Sequence, residues 1–316
     1  MNMSFRKILF KVIESEWAIA YRNKRNGEIL TSEKQYFSII KNTLRYWCAD
    51  PFPVEEGTKT YIFFEAFDRI KRKGVIGYRE INSNRISKIN IIIKEPFHLS
   101  YPYIYREKGS WYIIPESKDL NKIIRYKSKK FPDIWEKEKI LINNISAVDP
   151  TVFPYCKNDM KKNDMKLFTY IFESFNKGEL QIFHLKDNSQ TIICNIEDLD
   201  GRKRPAGKIC IVNNIYYRPS QLCTRSYGEA IIFNKILCLT DNSYEETEYK
   251  MLTVKEISLD RTLKITGVHT YNDSENWEVV DVEISGVSLI RIIGFIPRIY
   301  HIAKRTIKAK KMKGNH

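Results

Sequence analysis

A proline-centred motif returns four times along the chain at steps near fifty residues, and no other feature restricts the fold as strongly. Ala49-Asp50-Pro51-Phe52 runs through an acidic, glycine-containing turn into Tyr61-Ile62-Phe63-Phe64-Glu65. Ser100-Tyr101-Pro102-Tyr103 runs through Glu107-Lys108-Gly109 into Trp111-Tyr112-Ile113-Ile114-Pro115-Glu116. Val148-Asp149-Pro150-Thr151 crosses a longer polar turn to Leu167-Phe168-Thr169-Tyr170-Ile171-Phe172-Glu173, and Lys203-Arg204-Pro205-Ala206 leads into Ile215-Tyr216-Tyr217-Arg218. Each unit reads as an entering strand, a tight turn, an aromatic-rich second strand and further strands, such as 77–81, 89–94 and 180–185. Several strands repeated at this period are the signature of propeller blades. A two-sheet sandwich does not explain a proline-marked period.

The expected fold is therefore all-β: a five-bladed β-propeller over residues 1–285, with blades near 45–95, 96–145, 146–200, 201–226 and 227–285. A strand at 17–22 is expected to close the ring. Residues 286–316 are expected to form a short basic amphipathic helical tail. Blades point equivalent positions at one channel mouth, so Asp50, Tyr101, Asp149 and Arg204, each preceding its marker proline, should face one another.

Asp50 and Asp149 form the kind of carboxylate pair used in sugar chemistry, one as base or nucleophile and the other as stabiliser. A third carboxyl acting as acid would need apolar or like-charged neighbours to retain its proton. Glu116 is the first candidate, and Glu65 and Glu173 are weaker ones. The alternative is that each Asp-Pro caps a turn and that Glu65 and Glu173 bond between blades. Arg202, Arg204, Arg218, Gln221 and Arg225 cluster among Tyr216, Tyr217 and Tyr227, and guanidinium groups bind phosphate or carboxylate in bidentate fashion. Arg204 and Arg218 are expected to point inward. His98 and His269 are either ligand contacts or satisfied core histidines. The candidate substrate-binding set is thus Glu65, His98, Tyr101, Arg204, Arg218, Gln221, Tyr227 and His269. The five histidines stand apart from the cysteines, and glycine-rich phosphate loops and metalloprotease motifs are absent, so no metal or cofactor is expected.

The balance of 53 Lys+Arg against 38 Asp+Glu gives a formal charge of +15. Arg291, Arg298, Lys304, Arg305, Lys308, Lys310, Lys311 and Lys313 supply eight of these charges from residues 286–316, interleaved with apolar residues such as Ile292, Ile293, Phe295 and Ile299. That pattern suits an interfacial helix on an anionic membrane. A packed C-terminal helix or a nucleic-acid arm is the alternative, and nucleic acid is not the expected partner. No charge-free run reaches membrane-spanning length, and Lys7 and Lys11 break the N-terminal apolar stretch, so neither a transmembrane helix nor a signal peptide is expected. Cys48, Cys156, Cys194, Cys210, Cys223 and Cys238 lack CxxC spacing, and buried thiols in a reducing cytoplasm are expected, with contact at the inner face of the plasma membrane.

Trp47-Cys48-Ala49-Asp50-Pro51-Phe52, Phe63-Phe64-Glu65, Glu95-Pro96-Phe97-His98-Leu99-Ser100-Tyr101-Pro102 and Ile114-Pro115-Glu116-Ser117 resemble a known propeller domain. It forms the N-terminal part of plant glucosamine inositolphosphorylceramide transferases and occurs in bacterial proteins of surface-polysaccharide clusters. Phe131-Pro132-Asp133-Ile134-Trp135, Val148-Asp149-Pro150-Thr151, Arg204-Pro205-Ala206-Gly207, Arg218-Pro219-Ser220-Gln221, Tyr227-Gly228 and His269-Thr270-Tyr271 extend the likeness in order over 45–275. More distantly, the Asp-Pro units are similar to those of five-bladed glycoside hydrolases such as families 32, 43 and 68. The resemblance implies a sugar-active propeller in which Asp50 and Asp149 carry over as catalytic groups. Those hydrolases place their acid in a later blade than Glu116, so that role does not transfer.

Three functions follow as expectations. The first is a glycosyltransferase of capsule or O-antigen assembly, using a nucleotide sugar and a glycan or lipid-linked acceptor. The second is a glycoside hydrolase or phosphorylase, and the third a non-catalytic glycan-binding propeller.

Overall fold

A computed structural model of the protein describes residues 15–24, 35–82, 85–154, 164–174, 176–186, 189–259 and 263–285; the expected tail at 286–316 lies outside them. The strands form five sheets arranged as blades. Blade one holds β3 (Tyr46–Glu56), β4 (Lys59–Asp68), β5 (Lys73–Asn82), β6 (Arg85–Ile86) and β7 (Asn90–Ile93). Blade two holds β8 (Ser100–Glu107), β9 (Ser110–Glu116), β10 (Lys122–Lys130) and β11 (Ile134–Asn143), and blade three β12 (Ala147–Val152), β13 (Asp164–Ser174), β14 (Lys177–Lys186) and β15 (Ser189–Asp198). Blade four holds β16 (Cys210–Val212), β17 (Ile215–Leu222), β18 (Ala230–Leu239) and β19 (Tyr244–Thr253). Blade five joins both ends of the described chain: β1 (Glu16–Asn23) and β2 (Gln35–Ile39) with β20 (Ile257–Leu259), β21 (Lys264–Asp273) and β22 (Trp277–Ser285). As expected, β1 closes the ring, pairing antiparallel with β22 from Glu16↔Ile284 to Asn23↔Trp277.

Sequence grades across each blade. The second strand β4, KTYIFFEAFD, is buried along nearly its whole length between neighbouring blades, whereas the outer strand β11, IWEKEKILIN, is charged and mostly exposed. Adjacent blades interlock through aromatic rings, as where Phe52 of blade one meets Tyr101 of blade two edge-on at 5.0 Å. The blade boundary expected at 226/227 is corrected by the pairing. Leu222 of β17 faces Ala230 of β18, so residues 223–229 are a hairpin turn inside blade four. Blade four has an irregular inner edge, a bridge from Pro205 to Ser220 followed by the short β16, and this hides its true length from a proline count.

The inner strands share one irregularity. Pairing slips between Ala49 and Phe52, between Ser100 and Tyr103, and between Val148 and Thr151, at the marker prolines, and again between Val268 and Tyr271. At the first three bulges Asp50, Tyr101 and Asp149 adopt φ of 51°, 44° and 51°, left-handed values uncommon outside glycine. Bulges re-aim side chains and recur beside active sites. Here they gather side chains from several blades around the channel axis.

Arg218 does not join that gathering, contrary to expectation. It is fully buried, its Nη2 2.7 Å and its Nε 2.8 Å from the Glu246 carboxylate, with Tyr244 donating to Glu246 at 2.6 Å. Its position on β17 turns it toward the blade-three contact, where Phe168 meets Tyr244. Burial opposes the Glu246 charge, but Arg218 and Lys203 outweigh it and hold the carboxyl down at about 2. Glu246→Gln is expected to cost about 3–5 kcal/mol at pH 7 because Arg218 is left buried without its counter-charge. Because the folded carboxyl titrates below its usual 4.5, this contribution is present above that pH and is lost as pH falls to about 2. Urea unfolding of both proteins at pH 7 and at low pH checks this, and the difference should shrink in acid.

Candidate functional site

The bulged inner strands open onto a cavity of about 230 Å³. Its ionisable lining includes Asp50, Glu65, Glu116, Asp149, Arg204 and His269, and Trp17, Trp47, Phe67 and Tyr227 supply aromatic walls beside His98.

Asp50 is held on three sides. Its Oδ2 accepts the Tyr101 N–H at 3.0 Å, and its Oδ1 accepts the Thr270 hydroxyl at 3.0 Å and stands 3.1 Å from His269 Nε2. On the far side of the imidazole, Asp281 Oδ1 lies 3.0 Å from His269 Nδ1. Asp281 also accepts the backbone N–H groups of Asp50 (2.9 Å), Thr270 (2.8 Å) and His269 (3.3 Å). Burial opposes an imidazolium here, but Asp281 and Asp50 overcome it and raise His269 to about 10. Burial likewise pushes Asp50 up, yet the bond and charge of His269, with Thr270 and the Tyr101 amide, bring it below its usual value. Asp50 is therefore an ionised carboxylate locked against a cation.

The same cavity also carries the acid. Asp149 Oδ2 accepts from Arg204 Nε at 2.5 Å and from Gln221 Nε2 at 3.2 Å. Burial raises Asp149 and Arg204 opposes that rise, leaving it above its usual value. Arg204 reaches on to within 4.0 Å of Glu116 Oε2. Burial, then the Asp149 charge, push Glu116 up to about 8 against the pull of Arg204, so Glu116 keeps its proton at neutral pH. The Arg204 guanidinium also lies 5.5 Å from the centre of the Tyr227 ring. One pocket thus presents an ionised carboxylate and a neutral carboxylic acid, the division of labour that sugar chemistry requires. Donor atoms of Asp50, His269 and Asp281 lie within 4.8 Å of one another and could collect a cation. Their oxygens already accept N–H and O–H bonds, and the imidazolium supplies the positive charge.

The sequence model described as "Glucosamine inositolphosphorylceramide transferase 1, N-terminal" matches residues 38–271. The chain belongs to this family. It is 27% identical over 215 residues to glucosamine inositolphosphorylceramide transferase 1 of Arabidopsis thaliana, a match covering 63% of this chain and 27% of that protein. The corresponding protein of Oryza sativa subsp. indica is 26% identical over 206 residues, with the same coverage. The chain therefore spans about a quarter of the length of these curated relatives. Among solved structures, the family 62 α-L-arabinofuranosidase catalytic domain of Coprinopsis cinerea superposes with a TM-score of 0.53 at 9% identity, covering 85% of this chain and 98% of that one. β-1,2-Mannobiose phosphorylase of Listeria innocua gives 0.51 at 7% identity, covering 77% and 92%. These likenesses show the shared propeller fold.

Within the family span, the structure brings together Asp50, Glu65, His98, Glu116, Asp149, Arg204, Tyr227 and His269, all lining the cavity. Tyr101 is corrected: its ring is fully buried, its hydroxyl bonded to Thr151 at 2.8 Å and accepting the Gly207 N–H at 2.8 Å, so only its backbone serves the site. Gln221 is also buried, and it holds Asp149 rather than lining the cavity. Glu173 is exposed, and Arg225 is exposed and paired with Glu229. Two contributors lie outside the family span. Asp281 sits in the apolar strand Trp277–Ser285, and Trp17 sits on the closing strand with its ring 4.0 Å from His269. Gly228, at φ 68°, leaves room for that indole, since a Cβ there would come within 2.5 Å of Trp17 Cη2.

Proposed function

We propose that this propeller is a carbohydrate-active enzyme that cleaves a glycosidic bond, in the manner of a hydrolase. The observation that carries the reading is the pairing of ionised Asp50 with neutral Glu116 in one cavity. Glu116 protonates the leaving oxygen as its bond to the anomeric carbon breaks. Asp50 either takes a proton from the water that attacks that carbon or attacks it directly to form a glycosyl ester that water then hydrolyses. Asp149, clamped by Arg204 and Gln221, maintains the like-charge pressure that keeps Glu116 protonated. The His269–Asp281 pair fixes the orientation of Asp50 and its charge. Aromatic walls suit the apolar faces of sugar rings.

A second reading is favoured by the transferase names of the relatives and by the basic segment at 286–316. In it the chain is a cytoplasmic glycosyltransferase at an anionic membrane surface, building a bacterial surface polysaccharide from a nucleotide sugar. The arginines weigh against it, because Arg204 is committed to Asp149, Arg218 to Glu246 and Arg225 to Glu229, leaving the cavity rich in carboxyls toward a donor diphosphate. A thermal-shift screen separates the two. A ligand at a hundred times its Kd stabilises the fold by about 2.7 kcal/mol. The first reading expects stabilisation by neutral oligosaccharides, and selective stabilisation by a nucleotide sugar would replace it with the second.

A further inference from the structure

The cavity contains a polar pair that the acid and base roles leave idle. Glu65, on β4, is 6% exposed and lines the cavity, and its Oε1 is buried without a hydrogen bond among the described residues. A buried oxygen without a protein partner is met in a native fold by an ordered water or by a ligand that displaces it. Across from it stands His98. Its Nδ1 accepts the Gly74 N–H at 2.9 Å, which places the proton of the neutral ring on Nε2. That Nε2 is 3.5 Å from Glu65 Oε1, too far for a good direct bond.

The backbone makes room for this pair. A Cβ on Gly74 would fall 2.4 Å from Glu65 Oε1 and 2.9 Å from His98 Cε1, against atoms that are already packed. Beside it the Phe67 ring lies 6.4 Å from His98 and stacks on Trp47 at 4.6 Å, and both rings line the same cavity. An open donor and an open acceptor next to an aromatic wall match a ring hydroxyl, which accepts one bond and donates another. We propose that Glu65 and His98 form a hydroxyl-binding subsite for one uncharged glycosyl residue, whose hydroxyl accepts from His98 Nε2–H and donates to Glu65 Oε1. This rests on the carbohydrate reading above and adds the substrate class that the site selects.

Electrostatics support the preference for an uncharged sugar. Burial, followed by the charges of Asp50 and Glu116, pushes the Glu65 carboxyl well above its usual range, and burial lowers His98 although Asp119 and Asp50 oppose it. The ionised Asp50 on the same cavity disfavours a sugar carboxylate beside this pair.

The test is binding, read by thermal shift, of D-xylose, L-arabinose, D-glucose, D-galactose and D-mannose against D-glucuronate and D-galacturonate. The proteins are the wild type and its Glu65→Gln, Glu65→Leu, His98→Phe and Asp50→Asn variants. At least one neutral sugar should stabilise the wild type more than either uronate does. Glu65→Gln, which keeps an acceptor, should stay within about threefold of wild-type affinity, whereas Glu65→Leu and His98→Phe should each weaken it about tenfold or more. His98→Phe carries the test if Glu65→Leu does not fold. Wild-type affinity in both Glu65→Leu and His98→Phe, with binding lost in Asp50→Asn, overturns the subsite while leaving the carbohydrate reading standing. Preference for a uronate overturns the subsite, and failure of every sugar to stabilise the wild type overturns both.

Discussion

Replacing Asp50 by Asn is expected to lower kcat/KM by about 10²–10⁴-fold while the protein stays folded, at a smaller cost in stability than Asp50→Ala. The residue sits at φ 51°, a left-handed conformation that Asn tolerates better than most side chains, so the backbone bulge survives the exchange. The Tyr101 N–H and the Thr270 hydroxyl bond different Asp50 oxygens, so the amide oxygen of Asn can keep the Tyr101 bond while the Thr270 hydroxyl turns to accept from the amide NH2. What disappears is the negative charge, and with it the base or nucleophile. Asp50→Ala should behave differently, because alanine lacks both the acceptors and the tolerance for positive φ. It should lose stability as well as activity. Comparing the melts and rates of the two variants separates chemistry from scaffolding at this position.

Glu116→Gln should produce a loss of similar size, and its clearest mark is the pH profile. The acid works only while protonated, and Glu116 is raised to about 8, so wild-type kcat/KM should hold through neutral pH and then fall about tenfold per unit above that value. The acidic limb belongs to Asp50, which must stay ionised. Its downward displacement by the His269 cation keeps activity up as pH drops through the usual carboxylate range. In Glu116→Gln the alkaline fall should vanish along with most of the rate, while the acidic limb should remain. A wild-type profile flat from pH 7 to pH 10 would remove Glu116 from the acid role.

The repeat made part of this site legible in the sequence. Asp-Pro recurs because the inner strands of blades one and three carry a bulge at the same place, and residues at equivalent places of different blades converge in space. That reasoning reached Asp50, Asp149 and Arg204. It failed for Tyr101, which shares the backbone position and positive φ but sends a large ring into the blade contact, where burial against Phe52 outweighs exposure at the mouth. It failed for Arg218, whose buried partner Glu246 lies two strands away on β19 and is invisible to a local reading.

Trp17 and Asp281 were missed for a different reason. Both belong to the blade assembled from the two ends of the described chain, so their neighbours are set by ring closure rather than by spacing. Asp281 did leave a signal: an acid inside Val279-Val280-Asp281-Val282 has to be buried with the strand, and a buried carboxylate demands partners. The partners are His269 and three backbone amides, which together organise Asp50.

The most direct test is hydrolysis of a panel of neutral oligosaccharides, followed by release of new reducing ends. Wild-type protein should cleave at least one member, and both Asp50→Asn and Glu116→Gln should lose that activity while remaining folded. No cleavage by wild type, together with glycosyl transfer from a nucleotide sugar that survives both substitutions, would contradict it.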